Sequence, residues 1–408
     1  MNHKSKLRGH FGLMMIALGA ALAWVTPAWT QDDAATASLH DAFERAAAQL
    51  PEAAARPALQ AQADAQRRAA RGPFVGPPVA SGDILTRSAG IIEQEARVSA
   101  AIKWPGESRA GIQAAALGAD AANAELMAAQ LGLAGNIRAA YWRLAGARSA
   151  IIIEQQHVAT THVETEQVSR LVRAGVQAKR DLLVSQAELG VALGKRSAAE
   201  TELADALAAV EALIGDAPAS FVEEVRTPLI DIDDHPAMRA AETKAKVADA
   251  KAAFVRYNIR PRLEGTIGVR RERSDPRGSY EDALLVGIAV PLGRDSRAVA
   301  EASNTRAEAL TAKAEVPRLR ARLIAEQRAA LTRLSVAERA LDDAQARQSA
   351  LQEAFALTER GRSEGEIGYI EFLRSRQALF DAERDLGAAR VAKSAAISNL
   401  NQAMGVLP

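Results

Sequence analysis

Side chains that could act as acids, bases or metal ligands occur along this sequence without the spacing that catalysis requires. Two carboxylates are adjacent at Glu223 and Glu224, and two of the six histidines, His157 and His162, stand five residues apart. No nucleophile elbow, phosphate-binding glycine loop or HExxH pair accompanies them. Carboxylate pairs on long charged helices are usually solvated. The sequence therefore predicts neither an enzyme nor a metal site nor a cofactor.

The composition indicates an exported protein. The chain has no cysteine, which excludes disulfides, thiolate metal sites, a cysteine nucleophile and a lipid anchor on cysteine. A basic start, an apolar run and a small-residue end predict a secretory signal peptide over residues 1–30. Without Lys4, Lys6 and Arg8, the 51 basic and 50 acidic residues become 48 and 50, about −2 in net charge. That balance predicts no nucleic-acid partner.

One sequence pattern occurs twice, 190 residues apart. VRAGVQAKRDLL with Gly175 and SEGEIGYIEFLR with Gly365 stay aligned without a gap for about forty residues, as far as Gly215 and Gly405. After each glycine, apolar residues recur at a spacing of seven, a seam typical of helices that pack side by side as a left-handed coil. The sequence therefore predicts an internal duplication.

Prolines and glycines divide each copy into helices and two strands. The first repeat is predicted over 31–218, with a helix over 41–68 interrupted near Pro51 and Pro57, strands over about 83–104, and helices over 107–172 and 177–213. The second repeat is predicted over 219–408, with a helix over 236–257, strands over about 263–292, and helices over 296–360, bent at Pro317, and 369–403. The helix over 107–172 would be about 100 Å long at 1.5 Å per residue.

The strand segments alternate in polarity. The residues that share the more apolar face are Val98, Ala100, Ile102 and Trp104 in the first copy and Leu284, Val286, Ile288 and Val290 in the second. Each run has about ten residues, enough to cross a bilayer when tilted. Four strands cannot close a transmembrane barrel, and an open edge in lipid is costly. Either the strands form a soluble hairpin, or several copies share one barrel, to which three copies would supply twelve strands.

Together these features resemble the TolC-like family of outer-membrane efflux proteins, the outer-membrane factors of tripartite efflux systems. The resemblance rests on the order helix, strand hairpin, helix, helix written twice, and on the strand end VPLG at 290–293. It also rests on paired large apolar residues after Gly175 and Gly365, and on the helix ends ALIGDAP and QAMGVLP. The fold it implies is mainly α with a small membrane β-barrel portion. Long antiparallel helices would form an α-barrel, and four strands per chain would close in a trimer as a 12-stranded barrel.

The resemblance further implies a function and its partners. The protein would be a homotrimeric exit duct in the bacterial outer membrane, in contact with outer-membrane lipid and with a large periplasmic portion. It would passively conduct substrates from a proton-driven inner-membrane pump and a periplasmic adapter protein to the exterior. A duct of this kind needs no cofactor and no catalytic residue.

The same resemblance assigns roles to the two repeated turns. The turns at Gly175 and Gly365 would be the periplasmic helix tips where the adapter docks. Asp181 and Glu371, each six residues past its glycine, would form carboxylate rings around the closed aperture, and such rings favour cations. Their pairing partners would be Arg180 and Arg362. At Arg374, where the family pattern has a second acidic residue, this sequence departs from it.

The sequence leaves alternatives for the exported substrate and for the class of protein. The stretch AAIKWPGESRAGIQAA at 100–115 resembles the cation-efflux branch, which exports cobalt, zinc, cadmium or copper, although Glu107 stands where that branch usually has a basic residue. Heavy-metal cations are therefore the expected substrate. The same channel fold could instead serve drug efflux or type I protein secretion. A periplasmic coiled-coil adapter or structural protein is the alternative of a different class.

Overall fold

The structure, a computed structural model, describes residues 39–87, 91–273, 275, 277–293 and 295–408. All of them belong to one unit, Ala37–Pro408. The predicted signal peptide over 1–30 lies outside the described residues.

The order of elements follows the predicted order. The helices are α1 (Leu39–Ala47), α2 (Pro51–Arg71), α3 (Glu107–Arg173), α4 (Lys179–Ile214), α5 (Pro236–Val255), α6 (Ser296–Ser363) and α7 (Tyr369–Ala403). The strands are β1 (Val79–Thr86), β2 (Ile92–Ile102), β3 (Leu263–Glu272) and β4 (Glu281–Ala289). The fold is thus mostly helical with one four-stranded sheet, and the predicted fold class is confirmed.

Two predicted element boundaries are wrong. The first helix is interrupted only before Pro51, where proline occupies the first turn of α2 and its missing N–H costs nothing. Pro57 lies inside α2 without ending it. The first strand begins at Val79, four residues earlier than predicted, because the proline-rich segment before it is already extended and pairs with β2.

The long helices form two antiparallel hairpins, α3 with α4 and α6 with α7. The α3 helix has 67 residues and α6 has 68, so each extends about 100 Å. The two hairpins meet where α7 packs against α3, and the shorter α5 packs against α3 and α6. The main apolar core lies midway along α3, where Ile137, Tyr141, Trp142 and Leu144 are buried with Phe221. No helix in the described ranges is long and apolar enough to cross a membrane.

The extended segment between the two halves is held by a buried arginine. Arg138 of α3 is 1% exposed, and its guanidinium donates to both carboxylate oxygens of Glu224 at 2.6 and 2.9 Å. A terminal nitrogen of the same group also donates to the Gln402 side chain and to the Val406 carbonyl, at 2.8 and 2.9 Å. One side chain therefore joins α3, the connecting segment and the end of α7.

The sheet is antiparallel, in the order β1-β2-β3-β4. Its register places Val98 beside Ile267, and Ile267 beside Val286, on one face. That face carries exposed large apolar residues on all four strands: Ile84, Val98, Ile102, Ile267, Val269, Leu284, Val286 and Ile288. The other face carries the charged residues Asp83, Glu93, Glu95, Arg97, Arg270 and Glu272. The alternation predicted from the sequence is confirmed by this register.

Candidate functional site

The two turns that join the long helices have the same hydrogen-bond pattern. In the first, the amides of residues 174, 175, 176 and 177 donate to the carbonyls of residues 170, 172, 171 and 171. In the second, every donor and every acceptor is shifted by 190 residues. Gly175 and Gly365 both adopt positive φ, +75° and +82°, which only glycine adopts without strain. The two turns are therefore one structure built twice.

Asp181 lies in the first turn of α4, where a carboxylate is favoured by the helix dipole. Its side chain is 16% exposed, and its Oδ1 lies 3.8 Å from Nε of Arg180. Arg180 itself is 75% exposed, so the contact is a loose surface pair. The structure thus brings this predicted pair together.

Arg362 is placed against aromatic rings and forms no ion pair with the residues that the structure describes. Its guanidinium carbon lies 4.1 Å from the ring centroid of Phe372 and 4.8 Å from that of Tyr369. Burial lowers the pKa of Arg362, while the nearby charges of Tyr369 and Asp181 oppose that shift. The Asp181 carboxylate thus acts on Arg362 through its charge, while the two tips pack together where Val168 of α3 meets Tyr369 and Phe372 of α7.

Glu371 and Arg374 are both exposed on the first turns of α7. Neither forms an ion pair with any residue that the structure describes. Within one chain, then, Asp181 is partly held by its surroundings and Glu371 is free to face another molecule or solvent.

A buried charge pair lies behind the tips. Arg376 of α7 forms an ion pair with Glu164 of α3, and the two side chains are 13% and 12% exposed. The guanidinium carbon of Arg376 also lies between 5.2 and 5.8 Å from three ring centroids, those of Phe355, Phe372 and Phe380. Burial lowers the pKa of Arg376 to about 10. That value is still well above neutral pH, so Arg376 keeps its charge there.

A second group of charges joins the same helices further from the tips. Arg384 of α7 donates to Glu154 of α3 at 2.8 Å and to Asp381 at 3.1 Å. The Lys195 ammonium on α4 lies 3.8 Å from the Asp381 carboxylate. Together with the Arg376 pair, these contacts fasten α7 to the first hairpin at two levels.

His157 lies within this second group. Its ring is 4.0 Å from the Phe380 ring, centroid to centroid, and its Nδ1 is 3.6 Å from an oxygen of Glu154. Burial lowers the pKa of His157, Glu154 acts in the opposite direction, and the cations Lys195 and Arg384 lower it further. The imidazole is therefore neutral at neutral pH.

Sequence reasoning missed these buried pairs. Glu164 and Arg376 are 212 positions apart, and each stands among the charged residues that any exposed helix carries. A signal was present in the aromatic residues Phe355, Phe372 and Phe380, which are scarce in this chain and recur near the second turn. That pattern marks a core, but it does not identify the charge buried in it.

The structure also accounts for Glu107, where the sequence departs from the cation-efflux branch. Glu107 is 2% exposed, accepts from the Trp104 backbone amide at 3.0 Å, and pairs with Arg262 at 2.6 Å. It therefore fastens the turn that precedes α3 and joins it to the segment before β3. This carboxylate is structural, and its charge is not available to a passing substrate.

The fold is that of outer-membrane channels. VceC from Vibrio cholerae matches with a TM-score of 0.71 at 17% identity, over 90% of this chain and 96% of that one. CusC matches with a TM-score of 0.73 at 17% identity, over 93% of this chain and 96% of that one. The outer membrane channel CmeC of Campylobacter jejuni matches with a TM-score of 0.73 at 16% identity, over 90% of this chain and 85% of that one.

The second half of the chain has a family match of its own. Residues 232–406 match the family model of the outer membrane efflux protein. Residues 232–406 are therefore similar to outer membrane efflux proteins, and the chain shares the fold of outer-membrane channels, so the family resemblance drawn from the sequence is confirmed. No curated protein matches this chain in sequence.

Proposed function

We propose that this protein is the outer-membrane exit duct of a tripartite efflux system and that it conducts its substrates passively, without catalysis. The observation that carries this proposal is the family match over 232–406 on a chain whose sheet exposes an apolar face. Apolar side chains exposed in a continuous patch on one face of a sheet fit lipid, and charged residues on the other face fit an aqueous lumen.

We propose further that the working form is a homotrimer. The outer edges of β1 and β4 have no partner strand among the residues that the structure describes. An unpaired strand edge cannot be tolerated in lipid. If β4 of one copy pairs with β1 of the next, three copies close a barrel of twelve strands, and the same rotation closes the helices into a tube.

The two turns are proposed as the periplasmic end of this tube. Asp181 and Glu371 would line the closed aperture, with Arg180 and Arg362 beside them. The exposed Glu371 fits a ring shared among copies, because it has no ion-pair partner in its own chain as far as the structure describes it. Gly175 and Gly365 would shape the tips that receive the adapter of the partnering pump.

Heavy-metal cations remain the proposed substrate class. The support is the likeness of the 100–115 stretch and the acidic character expected of the aperture. Since Glu107 is committed to Arg262, the departure at that position does not count against the proposal. Export of drugs is the second candidate, because a passive duct imposes little chemistry on its cargo.

The first experiment tests duct and trimer together. The full-length protein is expressed, the envelope is fractionated, and the purified protein is crosslinked and placed in planar bilayers. A trimer in the outer-membrane fraction that conducts ions supports the proposal. A monomer or a protein that follows the inner membrane would refute it and favour an adapter role.

The aperture assignment is tested with Asp181→Ala and Glu371→Ala, singly and together. We expect larger conductance and sensitivity to bulky antibiotics. Asp343→Ala, which removes an exposed carboxylate on α6, is the matched control and should conduct like the unmodified protein. Unchanged conductance in the double variant would remove both residues from the gate.

Adapter docking is tested by replacing the tip glycines with alanine. Gly215→Ala is the control, because Gly215 also has positive φ, +83°, but lies at the other end of α4. We expect loss of adapter crosslinking from Gly175→Ala and Gly365→Ala with trimers intact. Equal loss in the control would mean that strain, and not the tip, is responsible.

Substrate is tested by growth with and without the gene on zinc, cadmium, cobalt, copper, dyes and antibiotics. Selective sensitivity to the metal ions would support cation export. Sensitivity to organic compounds alone would contradict it and favour drug efflux.

A further inference from the structure

One arginine at the junction of the sheet and the helices lies over two aromatic rings. Arg260 precedes β3, and its guanidinium carbon lies 5.8 Å from the ring centroid of Trp104 and 5.2 Å from that of Tyr257. Trp104 follows β2, whose Ile102 pairs with Leu263 of β3. The arginine and both rings therefore stand at one end of the sheet, where the strands pass into the helices.

The charge of Arg260 is not neutralised by the protein. Its side chain is exposed, and no carboxylate forms an ion pair with it in the described parts of the chain. Arg262, two residues later, is different, because it is bound to Glu107 and to the Asn258 side chain at 2.6 Å each. Arg262 thus stabilises the fold, whereas Arg260 is oriented by aromatic rings and keeps the edge of its guanidinium exposed to solvent.

The surface next to Arg260 is the end of the apolar sheet face. Ile102 is 40% exposed, and Phe74, which bridges to it, is 40% exposed as well. Val290 and Leu292, just past β4, are 51% and 100% exposed. Apolar side chains of this kind next to Trp, Tyr and Arg mark the level of lipid headgroups, where aromatic rings and basic residues are favoured.

The helix ends around this level are rich in arginine. Four helix ends reach it, those of α2, α3, α5 and α6, and their terminal turns or adjoining residues carry exposed arginines at 68, 71, 109, 256 and 297. The carboxylates in the same turns are engaged, since Glu107 binds Arg262 and Asp295 caps α6 through the Arg297 amide. Each basic residue near a membrane surface attracts anionic lipid.

We propose that Arg260, oriented by Trp104 and Tyr257, binds the phosphate of an anionic phospholipid in the leaflet nearest the helices, with one such site on each chain. This inference rests on the outer-membrane placement proposed above. The rings restrict the arginine torsions and leave the edge of the guanidinium open, which is the geometry for two parallel hydrogen bonds to phosphate oxygens. An anionic headgroup is preferred because it has no ammonium of its own to compensate the phosphate.

The test measures lipid retention by the full-length protein. Detergent-solubilised protein is mixed with phosphatidylglycerol and phosphatidylethanolamine, and bound lipid is counted by native mass spectrometry. We expect phosphatidylglycerol to be retained over phosphatidylethanolamine by about fivefold for one basic residue at the surface. Arg260→Gln should abolish the preference, and Arg260→Lys should keep only part of it.

Arg256→Gln is the matched control. It removes the same charge four residues away, from an exposed arginine for which the structure records no ring or ion pair within the described residues. Preference retained in Arg256→Gln and lost in Arg260→Gln supports the site. Equal loss in both variants, or no loss in Arg260→Gln, overturns it.

Two further outcomes separate this inference from the proposed function. A protein that inserts into bilayers and conducts but shows no headgroup preference refutes the lipid site alone, whereas one that does not insert refutes the duct itself. Inorganic phosphate at millimolar concentration should not displace the lipid. If it does, the site binds a free anion and the lipid assignment is wrong.

Discussion

The pair between Arg376 and Glu164, both only slightly exposed, provides the sharpest test of the proposed closure of the tips. Replacing Arg376 with methionine keeps much of the side-chain volume against the three phenylalanine rings but leaves the Glu164 carboxylate buried without a partner. Breaking a buried ion pair by removing one partner costs about 3–5 kcal/mol. Because both side chains retain slight exposure, 13% and 12%, the lower end of that range applies.

That magnitude can be converted into a gating effect. Suppose that the pair holds α7 against α3 in the closed state and is absent in the open state. Losing about 3 kcal/mol of closed-state stability then lowers the ratio of closed to open channels by about a hundredfold, since each 1.4 kcal/mol is a factor of ten. The readouts are single-channel conductance in planar bilayers and the sensitivity of cells to a bulky antibiotic. We expect Arg376→Met to raise both.

The double variant Arg376→Met with Glu164→Leu separates charge from packing. Replacing both members of a buried pair with apolar groups is often neutral or stabilising, so the double variant should close like the unmodified protein. Arg347→Gln is the control, because Arg347 pairs with Asp385 on the same hairpin and both are about half exposed. If the single variant lowers the unfolding temperature without raising conductance, the pair serves folding only and the gating argument fails.

Three further predictions concern stability, each checked by thermal unfolding of the full-length protein. Arg138→Ala leaves the Glu224 carboxylate without its buried partner and should cost about 3 kcal/mol or more. Arg143→Gln breaks a pair that is about half exposed on both sides and should lower the unfolding temperature far less. Similar losses in the two variants would contradict the burial argument. Gly405→Ala would place a Cβ 2.6 Å from a ring atom of Pro236. It should cost about 1–3 kcal/mol more than Gly215→Ala, because Gly215 has a comparable positive φ but open space around it. Equal costs would mean that only the backbone conformation, and not the steric contact, matters. Burial lowers the pKa of His157. The stability due to its neutral form is therefore present above about pH 6.5 and is lost as pH falls through the lowered pKa. His157→Gln should reduce the drop in unfolding temperature on acidification, and an unchanged drop would refute this assignment.

Much of the fold follows from local sequence patterns. The seven-residue apolar seams predict paired helices, the two-residue alternation in 98–104 and 284–290 predicts strands, and the glycines at 175 and 365 predict the two turns. These patterns repeat within one turn or one strand, so neighbouring residues are sufficient to define them. The family resemblance follows for the same reason, because it consists of the order of such elements.

The alternation also predicted which sheet residues share a face. Leu284, Val286 and Ile288 lie on the exposed apolar face because side chains alternate along any strand. What alternation cannot provide is the register, which brings Val98, Ile267 and Val286 into one row. The start of β1 was likewise beyond prediction, because Val79 is a strand residue only through its pairing with Ser99.

The sequence by itself determined the duplication, the element order and the two tips; the tertiary structure decided how the charges are used. Arg376 and Glu164 stand 212 positions apart and become a buried pair only when α7 packs on α3 in one rotation and one register. Arg362, predicted as an ion-pair partner, is instead set against Phe372. Periodicity shows which side of a helix is buried, but the contact between two helices depends on their relative position, which no local pattern contains.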